Sequence, residues 1–184
     1  MSSSPIRTLK PNVTQEEAVR TFSALGLSSL YWRMRIGPLQ KIAGAYVPFR
    51  FYRVRYDFGR TPHTRLFALD AVDGSLDLFG FPRIPEEREL LSIDGRNRLA
   101  PALPEDRAVE LLREKVLRIV FQQGFFKLRH LRLDITREPS EVYLPYWLGF
   151  YGGGETVRCR VMDAVRRRIE GAKASAFFEQ WLAA

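Results

Sequence analysis

Tyr46-Val47-Pro48-Phe49 and Tyr143-Leu144-Pro145-Tyr146 are two tetrapeptides of the same pattern, and each opens a long aromatic segment. Each aromatic segment turns back through a polar or glycine-rich loop into a second segment that ends in Asp-Ala-Val, at Asp70 and at Asp163. Hydrophobic segments joined by short turn-forming loops are typical of antiparallel hairpins. The sequence therefore predicts two similar β-hairpins, one in each half of the chain.

A shorter alternating segment precedes each aromatic segment, with polar or charged residues between its apolar ones. The apolar positions are Trp32, Met34, Ile36, Leu131, Leu133 and Ile135. Alternation with a period of two indicates a strand with one buried face, so we expect all of these side chains to point into the core.

Helical patterns precede both alternating segments. Thr14-Gln15-Glu16-Glu17 fits a capping box, and the apolar residues that follow predict a helix over 15–25. Pro104-Glu105-Asp106 marks the start of a second helix, which the apolar spacing extends to about residue 123. A ridge of aromatic and aliphatic residues predicts a C-terminal helix over 172–182 that packs on the body of the protein; an anchor that binds a partner is the alternative.

These landmarks occur in the same order in the two halves. Gly26, Tyr46 and Asp70 match Gly124, Tyr143 and Asp163 at offsets of 98, 97 and 93 residues, which indicates an internal duplication. The predicted organisation is an N-terminal tail over 1–13, a first α+β repeat over 14–82, a connector over 83–103, and a second repeat with the C-terminal helix over 104–184. The predicted fold class is α+β, with two tandem helix-plus-antiparallel-sheet repeats that are related by a pseudo-twofold and carry their helices packed on the sheet.

The run from Leu66 to Leu76, Leu-Phe-Ala-Leu-Asp-Ala-Val-Asp-Gly-Ser-Leu, resembles the final hairpin of PepSY-type domains. In that family a strand ends in an Asp-Ala pair, turns through a glycine and returns. The second half keeps Asp163-Ala164-Val165 but has Arg166-Arg167 where the glycine turn would be. The resemblance implies small helix-on-hairpin modules that act as non-catalytic binding or inhibitory units.

Few residues are suited to metal binding or nucleophilic catalysis. The histidines and the single cysteine are His63, His130 and Cys159, and their spacing is not that of a usual metal site. No Gly-x-Ser-x-Gly motif occurs. Cys159 alternates with valines in the run 157–161, which favours a small buried hydrophobe; an activated thiol beside its flanking arginines is the alternative.

Asp70 and Asp163 recur at the end of a strand in each half, and we interpret them as acceptors of turn hydrogen bonds rather than as a general acid and base. The sequence therefore predicts a protein that is not an enzyme and that binds no metal or other cofactor. An enzyme whose site is assembled from scattered residues is the third of the functional hypotheses.

The net charge of +8 comes from 29 basic residues, of which only five are lysine. Guanidinium groups pair in a bidentate manner with carboxylates and phosphates and stack on aromatic rings, so the excess predicts an anionic partner. A GC-rich bacterial genome would explain the ratio of arginine to lysine but not the net excess.

The predicted partner-binding residues are Tyr31, Arg33, Arg35, Arg53, Arg55, Arg158 and Arg160. Alternation places most of them on outward strand faces, although the phase breaks between Phe51 and Tyr52 and leaves Arg53 and Arg55 open. Arginine and aromatic residues are enriched at interface hot spots. The leading hypothesis is thus a small accessory subunit that docks an acidic protein or a larger complex. The same face could instead bind nucleic acid by stacking and phosphate contacts, or be merely a solvated surface.

The sequence also bears on where the protein acts. Its first residues lack the charged and apolar regions of a secretory signal. Its longest uncharged stretch, 142–154, is shorter than the roughly 20 apolar residues of a spanning helix. We therefore expect no transmembrane segment and a location in the cytoplasm or at the cytoplasmic face of a membrane complex, where contact with an anionic lipid surface is a further candidate.

Overall fold

The computed structural model of the protein describes residues 5–24, 34, 36–58, 61–94, 97–122, 132–152 and 157–183. Within these ranges the chain forms three α-helices and one eight-stranded mixed sheet, which confirms the α+β class. The strands are β1 Ile6–Leu9, β2 Leu39–Phe58, β3 Thr61–Asp70, β4 Phe79–Phe81, β5 Leu90–Ile93, β6 Leu133–Tyr151, β7 Arg158–Asp163 and β8 Arg168–Ile169. The helices are α1 Gln15–Ser23, α2 Glu105–Gln122 and α3 Ala172–Ala183, with a short 3-10 turn at Glu87–Glu89.

The two predicted hairpins are the centre of the sheet. Its strand order is β4-β3-β2-β6-β1-β5, and β7 pairs with β6 and with β8. The β2–β3 and β6–β7 pairs are antiparallel, whereas β1 pairs with β6 in parallel. Ion pairs join Arg50 to Glu141 and Arg53 to Glu138, so the chain direction of β6 is opposite to that of β2.

Helix α1 begins with the predicted capping box. The Thr14 hydroxyl accepts from the Glu17 amide at 3.2 Å, and the Glu17 carboxylate accepts from the Thr14 amide at 2.8 Å. This backbone hydrogen bond is the largest cause of a lowered pKa of Glu17. The buried residues Ala18 and Phe22 lie one helical turn apart, so a nine-residue helix is held mainly by the packing of one face.

Helices α2 and α3 also follow the predicted apolar spacing. The buried positions of α2 are Ala108, Leu112, Val116 and Val120. In α3, Phe177 and Phe178 are buried, and the Phe178 ring lies 5.4 Å from the Tyr146 ring. Leu182, by contrast, is 49% exposed, so the C-terminal ridge packs on the body through its phenylalanines and not along its whole length.

The chain divides into two compact units, each built from separate segments of the sequence. The first unit is drawn from 1–47, 87–99 and 143–184, and one of its hydrophobic clusters joins α1 to the β6–β7 hairpin. The second unit is drawn from 48–86 and 100–142, and its cluster joins α2 to the β2–β3 hairpin. The repeat boundaries and the pseudo-twofold, which divide the sequence in another way, stay predictions.

Some local predictions need correction. Met34 has helical backbone geometry and is 80% exposed, so the prediction of an inward strand position was wrong there. Ile36 packs against the core of the first unit, and Leu133 and Ile135 belong to the core of the second, whereas Trp32 and Leu131 lie outside the described residues.

The turn after Asp70 is followed by β4, which begins only at Phe79. The expected N-terminal tail contains β1, which pairs with β5 and β6.

Candidate functional site

The predicted partner-binding residues do not form one exposed face within the described chain. Tyr31, Arg33 and Arg35 lie outside the described residues. The remaining four lie on β2 in the second unit and on β7 in the first. Each of these four arginines has a different environment, which decides whether it is available to a partner.

Arg53 is half-exposed but already paired. Its Nε donates to Glu138 at 2.6 Å, across from β2 to β6 in the second unit. A partner carboxylate would therefore have to compete with an ion pair that is present in the free protein.

Arg158 and Arg160 project from the face of β7 opposite Cys159, as alternation predicted. Arg158 is exposed and pairs with Glu179 of α3 at 3.5 Å. Arg160 is only 6% exposed, because α1 covers this face: Gly149, its partner in the β6–β7 register, lies directly beneath Phe22. The prediction that Arg160 lies on an open surface was therefore wrong, because strand alternation does not show which element packs on a given face.

Arg160 interacts with buried groups in the interior of the first unit, among them Tyr151. Burial raises the pKa of Tyr151, and nearby Arg160 offsets part of that effect. The Tyr151 hydroxyl donates to the Phe22 carbonyl oxygen at 2.8 Å, near the end of α1. A cation close to the C-terminal end of a helix also interacts favourably with the helix dipole.

Arg55 is the predicted site residue that remains available. It is exposed and, within the described part of the chain, has no ion-pair partner. It lines a cleft of about 410 Å³ at the turn end of the β2–β3 hairpin. The cleft residues are Arg55, Tyr56, Asp57, Pro62, His63, Arg132, Leu133 and Asp134. We call this the hairpin cleft.

The wall of the hairpin cleft is rigid and its rim is charged. Tyr56 is 5% exposed, and its ring stacks on His63 with centroids 5.4 Å apart and planes at 17°. Arg132, at the start of β6, is exposed like Arg55 and has no ion-pair partner among the described residues. Asp57 and Asp134 add negative charge to the same rim. The cleft thus presents two available guanidinium groups and the ring of His63, which is stacked on buried Tyr56.

Sequence reasoning missed a second charged cluster, at the start of α2. Arg50, whose side chain is only 14% exposed, donates to the Leu103 carbonyl at 2.7 Å and pairs with Glu141 at 3.2 Å. Arg137 pairs with Glu105 at 2.9 Å, and the Glu105 carboxylate also lies 3.7 Å from Arg50. Mutually neutralised groups of this kind are typical of a structural network, which local sequence spacing does not reveal.

Tyr52 lies beneath this network with no exposed surface, and its hydroxyl is near the Glu105 carboxylate but forms no hydrogen bond of good geometry with it in the described structure. Burial, and then the charge of Glu105, raise the pKa of Tyr52 to about 12. An unpartnered buried hydroxyl contributes little to stability, so its removal has a predictable result.

We expect Tyr52→Phe to change the free energy of unfolding at neutral pH by less than about 1 kcal/mol. The folded-state pKa is above the unfolded value of 10.0, so the folded protein holds this proton more tightly and its stability falls as pH rises from 10 to about 12. The variant should lack this contribution, which amounts to at most about 3 kcal/mol.

Urea unfolding at neutral and alkaline pH measures both effects. Tyr151→Phe is the matched control: it removes a hydroxyl that donates at 2.8 Å and should cost about 1 kcal/mol at neutral pH. If Tyr52→Phe and Tyr151→Phe lowered the free energy of unfolding equally at neutral pH, the Tyr52 hydroxyl would not be the weakly bonded group described above.

The two recurring aspartates accept hydrogen bonds from the turns that follow them, as predicted. Asp70 is fully buried; its Oδ1 accepts from the amides of residues 72, 73 and 74 at 3.3, 3.1 and 2.9 Å, and its Oδ2 from the Leu76 amide at 2.9 Å. Asp163 accepts from the amides of Val165 and Arg166, each at 2.8 Å, and from the Arg166 side chain at 2.6 Å. Burial raises the pKa of Asp70, and its amide hydrogen bonds oppose that rise.

Cys159 is a buried residue, as predicted. It is 1% exposed, and burial, followed by the charge of Glu179, raises the pKa of its thiol to about 12. A thiol with such a pKa is protonated at neutral pH and is a poor nucleophile. Across the described ranges no three histidine, cysteine or acidic side chains are grouped so as to hold a metal ion.

Comparison with known proteins gives no assignment. The sequence matches no protein-family model, and neither a curated protein nor a solved structure is significantly similar to it. The likeness of Leu66–Leu76 to a PepSY-type hairpin therefore stays a prediction. None of the described helices has the length and apolar character needed to cross a membrane.

Proposed function

We propose that this protein is a non-catalytic binding protein, an accessory subunit that docks an acidic surface of a protein or multi-subunit complex in the cytoplasm or at the cytoplasmic face of a membrane. The observation that carries the proposal is the hairpin cleft, which is lined by both Arg55 and Arg132, each exposed and without an ion-pair partner among the described residues. Guanidinium groups that need not break an existing pair can bind a partner carboxylate at low cost.

The rigid wall of the cleft supports the same proposal. The His63 ring is held in place by stacking on buried Tyr56, so a partner residue that packs on His63 orders few new side chains. Interface hot spots combine such aromatic surfaces with arginine, surrounded by groups that exclude water. We expect an acidic side chain of the partner to bind Arg55 and Arg132. Adjacent atoms of the same partner should pack on the His63 ring.

The charge pattern favours a protein partner over nucleic acid. Asp57 and Asp134 lie in the cleft itself, so a uniformly anionic phosphate backbone would meet repulsion there, whereas a protein surface can place a cation beside them and a carboxylate beside the arginines. Elsewhere many arginines are already neutralised, as in the pairs Arg53–Glu138 and Arg158–Glu179, so the described surface lacks a continuous positive track. Interspersed charges of both signs are instead what complementary protein surfaces match.

Charge reversal tests the proposal. The double variant Arg55→Glu/Arg132→Glu should lower affinity for the partner by at least about tenfold, because two favourable pairs become repulsive. Arg113→Glu on α2 is the matched control, since Arg113 is exposed and likewise has no ion-pair partner among the described residues. Cross-linking and recovery from lysate, with and without nuclease treatment, identify the partner, and binding of the purified pair gives the affinities.

The outcomes separate the hypotheses. Loss of a defined protein partner in the double variant, but not in Arg113→Glu, supports docking through the cleft. Equal binding by all three proteins contradicts it. Recovery of nucleic acid alone, lost on nuclease treatment or at higher salt, would favour the nucleic-acid-binding alternative instead.

We also propose that the chain is an internal duplication. Both Asp-Ala turns form the same backbone contact, because the Ala71 amide donates to the Pro48 carbonyl at 2.8 Å and the Ala164 amide donates to the Pro145 carbonyl at 3.1 Å. The two Tyr-x-Pro tetrapeptides thus have equivalent places in their hairpins, which supports a repeat at the level of single hydrogen bonds.

A further inference from the structure

Each helix packs on the hairpin of the other half of the chain. We define the first half as residues 6–94 and the second half as 97–183. In the first unit, α1 of the first half shares a core cluster with Tyr151, Met162 and Ala164 of the second half. In the second unit, α2 of the second half shares a core cluster with residues of β2 and β3 in the first half, among them Tyr52 and Phe67.

The chain segments that lead into the two helices make matching contacts. The Asn12 amide donates to the Ala164 carbonyl at 2.8 Å, and the Ala102 amide donates to the Ala71 carbonyl, also at 2.8 Å. Further back in the chain, Thr8 pairs in parallel with Tyr143, and Arg98 pairs in parallel with Tyr46. In every case a residue of one half binds the Tyr-x-Pro or Asp-Ala landmark of the other.

The buried positions of the two helical segments match as well. Val13 and Leu103 are each 6% exposed, Ala18 and Ala108 are each 0% exposed, and Phe22 and Leu112 are 1% and 0% exposed. All three pairs are separated by 90 residues, as are Thr8 and Arg98, and Asn12 and Ala102. A single offset of 90 residues thus relates the strand pairing, the turn contacts and the buried helix positions of the two segments that contain the helices.

We infer that each half is a copy of one ancestral unit whose partner was a second copy of itself, and that the two copies exchange their helices. Without the other half, each hairpin would expose the apolar face that a helix now covers. Exchange of an identical element between two copies is a low-cost route to a dimer, and fusion of the genes would preserve it. The inference rests on the proposed duplication and is independent of partner binding at the hairpin cleft.

Hydrogen exchange on the full chain tests the exchange of helices. Ala18→Leu and Ala108→Leu form a matched pair, because each overpacks a fully buried alanine beneath a helix. Ala18→Leu should accelerate amide exchange about tenfold in residues 143–151 of β6 and in β7, which belong to the unit of α1. Residues 48–58 of β2 and all of β3, which belong to the unit of α2, should keep wild-type protection. These are the hairpin segments to compare, because Leu39 and Ile42 of β2 also pack against the α1 cluster. Ala108→Leu should do the reverse. Faster exchange in the hairpin of the variant's own half, or no change in either hairpin, would overturn the inference.

Cleavage gives a second test that does not depend on an overpacked variant. A specific protease site is inserted at Gly95-Arg96, between the two halves of the folded protein. After cleavage the halves should elute together at the mass of the intact chain, and their thermal midpoint should become dependent on protein concentration. Halves that elute separately, whether folded or unfolded, would contradict an exchange of helices.

Discussion

Replacing Asp70 with alanine is expected to lower the free energy of unfolding by about 4 kcal/mol. The Asp70 carboxylate is fully buried and accepts four amide hydrogen bonds from the turn that follows β3. Alanine would leave these donors without acceptors, and each buried unsatisfied donor costs roughly 1 to 3 kcal/mol before the turn relaxes. Urea unfolding followed by circular dichroism measures the loss.

Asp73→Ala is the control for that measurement. Asp73 is in the same turn, but it is exposed and its carboxylate accepts a single bond, from the Ser75 amide at 2.7 Å. Its replacement should cost less than about 1 kcal/mol. If the two variants lost equal stability, the buried carboxylate would not be what holds this turn.

Phe22→Ala is expected to cost a similar amount, about 4 kcal/mol, through loss of packing. Phe22 is 1% exposed and lies so close to β6 that a methyl group on Gly149 would approach its ring to 2.9 Å. A nine-residue helix depends on such packing because its isolated stability is small. The variant should therefore also lose helical signal from α1 at temperatures where the wild type is folded.

Val19→Ala is the matched control on the same helix. Val19 is 37% exposed, so alanine removes little buried surface and improves helix propensity. We expect a change of less than about 1 kcal/mol in thermal or urea unfolding. Losses of similar size at positions 19 and 22 would show that α1 is not anchored through Phe22.

Local patterns in the sequence were enough to predict much of the secondary structure. The capping box at Thr14 and the apolar spacing from Ala108 to Val120 act within a few residues, and both appear in the structure. Such patterns could not predict which hairpin each helix packs on, because an amphipathic helix can pack on any apolar hairpin face of suitable size. That choice is made by long-range contacts such as the one between Asn12 and Ala164.

In the candidate site too, local patterns predicted strand faces but not long-range contacts. Strand alternation correctly set Arg158 and Arg160 opposite Cys159, but it could not show that α1 covers Arg160. Arg53 is neutralised by Glu138, 85 residues away in sequence, through the pairing of β2 with β6. Whether an arginine is available to a partner thus depends on sheet register, which a single sequence does not specify.

The continuity of β2 and β6 also limits how this protein could have been altered by gene rearrangement. Each strand passes without interruption from one compact unit into the other, at residues 47–48 and 142–143. No single segment of the gene therefore encodes either unit, so one contiguous insertion cannot carry a complete core into another protein. Any copying or fusion of a contiguous gene segment would divide both cores between its products.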